Sequence, residues 1–156
     1  VYYSAFSPIP DASRQLPLQP PPLMREHRLY QADWLTRFYG FETEEIMGHG
    51  EMLDLDIDPK LAWALRERGR FPVDVNRADR ETLLRVPGLG TRSVDRILAS
   101  RRFRRLRLED VGRLTRSLAT IRHFILAERW RPDSGLDASN LRARLKPQPR
   151  QLTLFP

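Results

Sequence analysis

Apolar residues recur at helical spacing along much of the chain, and this pattern predicts a series of short helices. The first of them spans residues 25–39, and Gly40 follows directly. Glycine is the preferred residue just past the end of a helix, so this helix is expected to end there. The apolar positions that share one of its faces are Leu29, Trp34, Leu35 and Phe38.

Start and stop signals define further helices. Residues 43–46 read as a short capped helix. Asp58 and Pro59 suit the N-cap and the first position of another helix, which Gly69 is expected to close. The other expected elements are an extended stretch over 71–75, a short helix over 108–114 and a longer amphipathic helix over 117–130. The folded part is therefore predicted to be all-α.

Proline and polar residues dominate both ends of the chain. Six prolines between residues 6 and 23 exclude a helix or a central strand, so an extended connector is expected there. The tail over 132–156 is expected to be disordered, because its first part is rich in Pro, Gly, Ser, Arg and Gln without periodic apolar positions. The predicted regions are an N-terminal connector over 1–23, a helical linker region over 24–70, a hairpin domain over 71–131 and the tail.

Positive charge is concentrated in the predicted hairpin domain. Residues 71–131 carry 15 basic and 7 acidic side chains, whereas the net charge of the whole chain is +7. All but Lys60 and Lys146 of the 27 basic residues are arginine. The guanidinium fork matches phosphate oxygens, so the distribution favours a polyanionic partner.

The composition excludes several kinds of chemistry. The chain has no cysteine, which excludes disulfides, a cysteine-ligated zinc, an iron–sulfur cluster held by this chain and a thiol nucleophile. His27 has glutamine one helical turn on, and no Ser/His/Asp, paired-carboxylate or P-loop pattern is present, so neither a catalytic nor a metal site is expected. No apolar run of about 18 residues exists, so no membrane partner is expected and a cytoplasmic location is predicted.

The most informative stretch is a helix, a four-residue turn and a second helix over residues 79–102. Asp79 is the expected cap of the first helix, and Pro87 ends it. Gly88 and Gly90 bracket Leu89, which is expected to point inward between the helices, and Thr91 is expected to cap the second helix. Both glycines would allow positive φ and the close approach of a foreign backbone.

This Pro-Gly-Leu-Gly turn between two phased helices resembles the helix-hairpin-helix motif. The resemblance implies contact with the DNA backbone from the minor-groove side, without sequence preference. The residues expected to contact DNA are Gly88, Leu89, Gly90, Thr91, Arg92, Arg96, Arg101, Arg102, Arg104 and Arg105. The alternative is a plain pair of helices with a solvated arginine face, or a hairpin that binds only protein.

A second resemblance covers residues 1–131. The runs 2–9, 25–41, 58–63 and 71–78, taken with the hairpin, resemble the C-terminal part of putative DNA modification/repair radical SAM proteins, which are linked to uracil-DNA glycosylase-like partners. In that family a partial barrel holds a [4Fe–4S] cluster and S-adenosylmethionine. Without cysteine, this chain is expected to carry neither, so both would belong to upstream residues of a longer parent. The strand-like run 1–6 would then be the last strand of that barrel.

The last six residues, 151–156, resemble the pentapeptide that docks into the bacterial sliding clamp. Gln151 would form a hydrogen bond at the edge of the clamp pocket, while Leu152, Leu154 and Phe155 would fill apolar pockets. The alternative is a tail that packs on its own domain or on nothing.

The sequence thus predicts a DNA-binding region that targets a radical SAM enzyme to DNA. The competing hypothesis is a protein–protein interaction module for a repair partner such as the glycosylase-like protein. A self-standing nuclease or glycosylase is disfavoured by the lack of an acidic or nucleophilic constellation in residues 71–131.

Overall fold

The computed structural model describes residues 2–3, 19–48, 52–133 and 140–147. These residues are mainly helical. The α-helices are α1 (Leu23–Tyr39), α2 (Thr43–Met47), α3 (Pro59–Arg66), α4 (Arg80–Arg85), α5 (Thr91–Ser100), α6 (Leu108–Leu114), α7 (Leu118–Ile121) and α8 (Leu141–Leu145). The other elements are a 3-10 turn at Arg68–Arg70 and two short strands, β1 (Val73–Asp74) and β2 (Ile125–Leu126).

The predicted helix boundaries hold where a capping residue defines them. Gly40 adopts a left-handed conformation with φ of 68° directly after α1. The carboxylate of Asp58 accepts a 3.0 Å hydrogen bond from the N–H of Leu61, and Pro59 is the first residue of α3. The end of α3 differs from the prediction that Gly69 closes the helix. The α-helix ends at Arg66, and Gly69 lies within the 3-10 turn at Arg68–Arg70.

The predicted, mainly helical fold is confirmed, but the prediction of one long helix over 117–130 is wrong. After the short α7 the chain turns into β2, which pairs in parallel with β1. The N–H of Val73 donates to the carbonyl of Phe124 at 2.9 Å, and that of Val75 donates to Leu126 at 3.0 Å. The spacing of apolar residues in this stretch fits both the helical and the strand period. Pairing with a strand 52 residues earlier decided between the two.

The aromatic residues connect the helices before residue 70 with the elements after it. Edge-to-face contacts run from Phe41 to Trp63 (5.1 Å between ring centroids), on to Phe71 (6.0 Å) and then to Phe124 (5.2 Å). All four rings are buried. These contacts cross from the helical linker region into the hairpin domain, so the two regions share one hydrophobic core. Aromatic pairs of this kind stabilise the fold beyond the burial of their surface.

Part of the tail is ordered, which differs from the predicted disorder. Leu141 of α8 is fully buried in the hydrophobic core. Arg142 pairs with Asp54, and the ammonium of Lys146 lies 2.9 Å from a carboxylate oxygen of Asp56. Burial works to raise the pKa of Asp54, but the hydrogen bond and charge of Arg142, together with hydrogen bonds from the backbone N–H groups of Asp56 and Ile57, lower it overall. Residues 140–147 therefore fold back onto the loop before α3.

Candidate functional site

The turn between α4 and α5 matches its sequence prediction at the cap of α4 and at the buried Leu89. The carboxylate of Asp79 accepts a 2.7 Å hydrogen bond from the N–H of Thr82 and caps α4. This backbone hydrogen bond lowers the pKa of Asp79, so the cap is charged at neutral pH. The N–H of Leu89 donates to the carbonyl of Val86 at 3.1 Å, and the Leu89 side chain is 1% exposed. Leu89 is thus the apolar plug between the helices.

Only one of the two turn glycines needs to be glycine for the fold. Gly88 has φ of 84°, and a Cβ there would lie 2.9 Å from Cγ1 of Ile121. Gly90 has φ of −95°, and a Cβ there would make an ordinary contact of 3.6 Å with the hydroxyl of Tyr39. The expectation of positive φ at both glycines is therefore wrong for Gly90.

The N-terminus of α5 is open. Gly90 is its N-cap, and no side chain caps it, so the expected capping role of Thr91 is wrong. Among the residues that the structure describes, the backbone N–H groups of Gly90, Thr91 and Arg92 have no acceptor. The first turn of α5 also carries no acidic residue. Unpaired N–H groups and the positive end of the helix dipole can together accept an anion.

Four of the predicted DNA-contacting arginines are exposed and have no ion-pair or hydrogen-bond partner in the described part of the chain. They are Arg92, Arg96, Arg102 and Arg105. Arg92 and Arg96 lie one turn apart on α5, directly after the open helix end. Arg104 is 67% exposed but pairs with Asp110 at 2.6 Å. The structure therefore leaves most of the predicted cationic groups available to a partner.

Arg101 has a structural position instead. Its Nη1 donates to the carbonyl of Val75 at 3.0 Å and to that of Ala78 at 2.6 Å. These bonds attach the end of α5 to the segment between β1 and α4. This guanidinium is held against the backbone, so the structure separates Arg101 from the exposed arginines that the sequence grouped with it.

Lys60 is a residue of the hairpin site that sequence reasoning missed. It comes from α3, yet its Nζ donates a 2.6 Å hydrogen bond to the carbonyl of Leu89 and lies 4.6 Å from the centroid of the Tyr39 ring. Its side chain is buried, and this desolvation lowers the pKa of Lys60 to about 7, although the charge of Asp58 works to raise it. A signal existed in the sequence, because a lysine in the apolar stretch 59–65 is expected to have a buried partner.

Arg116 is a second such residue. It precedes Ser117, and a Cβ added to Gly88 would lie 3.0 Å from the Cβ of Ser117. Its side chain is exposed and has no partner among the described residues. The chain from α6 to α7 therefore brings the residue next to an exposed arginine against the turn, which the sequence alone could not show because 28 residues separate Arg116 from Gly88.

A cleft of about 560 Å³ lies between the turn and α1. The residues that line it are Tyr30, Gln31, Trp34, Leu35, Tyr39, Asp58, Pro59, Lys60, Gly88, Leu89 and Gly90. Trp34 is 58% exposed and Tyr30 is 37% exposed, so aromatic surface is accessible at this cleft. The hairpin site therefore consists of an open helix end, free arginines and an adjoining aromatic cleft.

Comparison with known proteins adds no identity. No protein family, curated protein or solved structure matches this chain. Within the described ranges, no helix is long and apolar enough to cross a membrane, and no group of three His, Asp or Glu side chains could hold a metal ion. The residues of this chain do not fit an iron–sulfur cluster, because no cysteine thiolate is present. The predicted clamp-binding residues Gln151, Leu152, Leu154 and Phe155 lie outside the described residues.

Proposed function

We propose that α4, the turn at 86–90 and α5 form a helix-hairpin-helix that binds the DNA backbone without sequence preference. The observation that carries this proposal is the open N-terminus of α5. Three successive backbone N–H groups without an acceptor follow directly on a turn whose apolar residue is buried. This arrangement suits one phosphate group, since the N–H groups and the helix dipole both favour negative charge.

The exposed arginines extend the same site. Arg92 and Arg96 follow the open helix end along α5, and both lack a partner in the part of the chain that the structure describes. Contacts of this kind neutralise phosphates and release counterions, so affinity falls steeply with salt. They carry no information about base sequence, so the expected binding is of similar strength on unrelated duplexes.

In this proposal the chain is the DNA-targeting region of a radical SAM DNA modification or repair protein. That wider role is supported only by the resemblance of residues 1–131. The [4Fe–4S] cluster and S-adenosylmethionine would be bound by upstream residues of the parent. A uracil-DNA glycosylase-like protein and, through the last six residues, the sliding clamp would be its partners.

The sharpest test adds negative charge at the helix end. Thr91→Glu places a carboxylate at the first position of α5, where it complements the helix dipole and is expected to leave folding unchanged or slightly improved. The same carboxylate would repel a phosphate. Thr91→Gln has nearly the same size without the charge and is the matched control. Fluorescence anisotropy with a labelled duplex, across a series of salt concentrations, measures the affinity of each variant.

We expect wild type and Thr91→Gln to bind with similar affinity and Thr91→Glu to bind at least about 10-fold more weakly. In Thr91→Glu the favourable contact between the phosphate and the helix end is replaced by repulsion between two negative charges. Thermal unfolding of all three proteins verifies that they are equally folded. Equal affinity of Thr91→Glu and wild type would contradict a phosphate site at α5, and the arginines would then be acting as nonspecific charge.

The protein-interaction module remains the second candidate, and one observation favours it. The helix α1 exposes several large apolar side chains, which is a common property of interaction surfaces. They are Leu23, Met24, Tyr30, Trp34 and Phe38. Absence of any DNA binding at low salt would leave this as the better supported function.

A further inference from the structure

The cleft beside the turn contains an unusual cation. The ammonium of Lys60 is buried and donates to one acceptor, the carbonyl of Leu89. No carboxylate lies within ion-pair distance of it among the described residues. A buried charge without a counter-charge is costly, and an ammonium has three protons to donate. Lys60 therefore retains donor capacity for a ligand with an acceptor oxygen.

The same cleft presents aromatic surface. The rings of Trp34 and Tyr30 line it and are partly exposed. The ring of Trp34 contacts that of Phe38, with 4.5 Å between the ring centroids and 45° between the ring planes. A neighbouring ring restricts the Trp34 side chain, so less side-chain entropy is lost when a flat ligand stacks on it.

The cleft is continuous with the proposed phosphate site. Gly88, Leu89 and Gly90 line it, and Gly90 is also the N-cap of α5. A strand whose phosphate lies on the N–H groups of Gly90 and Thr91 would thus bring the attached sugar and base to the mouth of the cleft. Acceptor oxygens, a flat base and a nearby phosphate are the features of a nucleotide.

We propose that this cleft accepts one unstacked nucleotide of the bound DNA, with its base against Trp34 and an acceptor oxygen on Lys60. The inference rests on the proposed function, since the phosphate on α5 positions the nucleotide. A base inside an intact duplex cannot enter, because both of its faces are covered by its neighbours. The protein is therefore selective for DNA that contains an unpaired base.

The low pKa of Lys60 agrees with such a ligand. Burial lowers this pKa to about 7, and the charge of Asp58 works against that shift. An acceptor oxygen in the cleft would stabilise the charged form. An aromatic side chain of a protein partner could cover Trp34, but it would leave the ammonium without a further acceptor.

The test compares three labelled DNAs with the full chain. One is a perfect duplex, one carries a single bulged thymidine, and one carries an abasic bulge with the same backbone and no base. Base–aromatic stacking supports a preference of about 10-fold for the thymidine bulge over the other two. The abasic bulge controls for the flexibility that any bulge confers on the duplex.

Two variants locate the effect. Trp34→Ala removes the platform, and this residue is 58% exposed, so the fold is expected to be retained and circular dichroism verifies it. Phe103→Ala removes an aromatic ring that is 89% exposed and does not line the cleft, so it is the matched control. Trp34→Ala should bind all three DNAs with the affinity of the perfect duplex, whereas Phe103→Ala should keep the wild-type preference.

Each outcome separates this inference from the proposed function. Equal affinity for the thymidine and abasic bulges, or a preference that survives in Trp34→Ala, overturns the nucleotide cleft. In both cases the phosphate site is still supported if the perfect duplex binds wild type and binds Thr91→Glu more weakly. If no DNA binds, the proposed function fails and the cleft inference fails with it. The aromatic face would then belong to a protein interface.

Discussion

The ammonium of Lys60 lies 2.6 Å from the carbonyl oxygen of Leu89, so a side chain of α3 binds the turn between α4 and α5. The carbonyl would otherwise be buried without a partner, which is costly. The bond also fixes the turn relative to Tyr39, whose ring lies 4.6 Å from the same ammonium. The position of the open helix end therefore depends on residues far away in sequence.

Lys60 is expected to make stability depend on pH. Its pKa in the folded protein is about 7, against 10.5 for an ordinary lysine. Below the folded pKa, Lys60 is protonated in both the folded and the unfolded state, so it adds no pH dependence to the free energy of unfolding. Between the two values the unfolded chain binds more protons than the folded one, and the free energy of unfolding therefore rises with pH, by at most about 1.4 kcal/mol per unit.

Chemical denaturation of wild type and Lys60→Met at about pH 6, 7.5 and 9 measures this slope. The variant is expected to lack the rise that Lys60 adds. Lys146→Met removes the only other lysine, whose side chain is 48% exposed, and controls for the loss of surface charge. Identical slopes in wild type and Lys60→Met would show that the ammonium is hydrated in solution.

The two turn glycines are expected to respond differently to the same substitution. Gly88→Ser places a Cβ at positive φ and 2.9 Å from Ile121, so it should lower the free energy of unfolding by about 1 to 3 kcal/mol. Gly90→Ser puts a preferred N-cap residue at ordinary φ and should not destabilise. Urea denaturation measures the free energy of unfolding of both variants. Similar losses in the two would contradict a turn in which only Gly88 has positive φ.

Two adjacent arginines should separate stability from binding. Arg101→Met breaks two hydrogen bonds to backbone carbonyls and is expected to cost about 1 to 3 kcal/mol of unfolding free energy. Arg102→Met changes an exposed side chain and should alter stability by less than about 0.5 kcal/mol. Under the proposed function, Arg102→Met should reduce the slope of log affinity against log salt by about 1. A loss of stability in Arg102→Met, with a change of only the salt dependence in Arg101→Met, would contradict this assignment.

The pair formed by Arg85 and Glu45 connects α4 to α2 through hydrogen bonds of 2.7 and 3.1 Å. Burial works to raise the pKa of Glu45, but the hydrogen bond and charge of Arg85, together with a backbone hydrogen bond at Glu42 and the charge of Arg70, lower it overall from 4.5. The stabilisation is thus fully present above pH 4.5 and is lost as pH falls through the folded pKa. Glu45→Gln should cost about 1 to 2 kcal/mol at neutral pH, since a charged hydrogen bond becomes a neutral one.

The difference between wild type and Glu45→Gln should shrink as the pH is lowered well below 4.5, because the wild-type carboxylate then takes up its proton. Glu44→Gln, on the same helix and exposed, controls for the loss of one charge. A cost of Glu45→Gln that does not change with pH would indicate a packing effect instead of an ion pair.

The tail helix is expected to contribute to global stability. Leu141 is fully buried, so Leu141→Ala should cost about 2 to 4 kcal/mol of unfolding free energy. Ala143→Ser changes an exposed residue of the same helix and should have little effect. Thermal unfolding of the full chain measures both. If Leu141→Ala unfolds like wild type, α8 does not pack on the core in solution.

Local signals along the chain were sufficient for several helix ends and for part of the turn. Gly40, Asp58 and Asp79 act on neighbours within three or four residues, so their capping roles follow from the sequence alone. The same holds for the buried Leu89, because the Pro-Gly-Leu-Gly run defines its own turn. The proposal that the ligand is DNA rests on the resemblance to the helix-hairpin-helix motif together with the open end of α5.

Tertiary structure decided the rest, because those features join residues that are distant in sequence. Pairing of Val73 with Ile125 turned an expected helix into a strand, and burial of Leu141 ordered part of an expected disordered tail. Arg101 was directed to the backbone and Lys60 to the turn by neighbours 23 to 29 residues away. Periodicity and charge describe what a side chain can do, but the partner that packing brings to it determines which of those roles it takes.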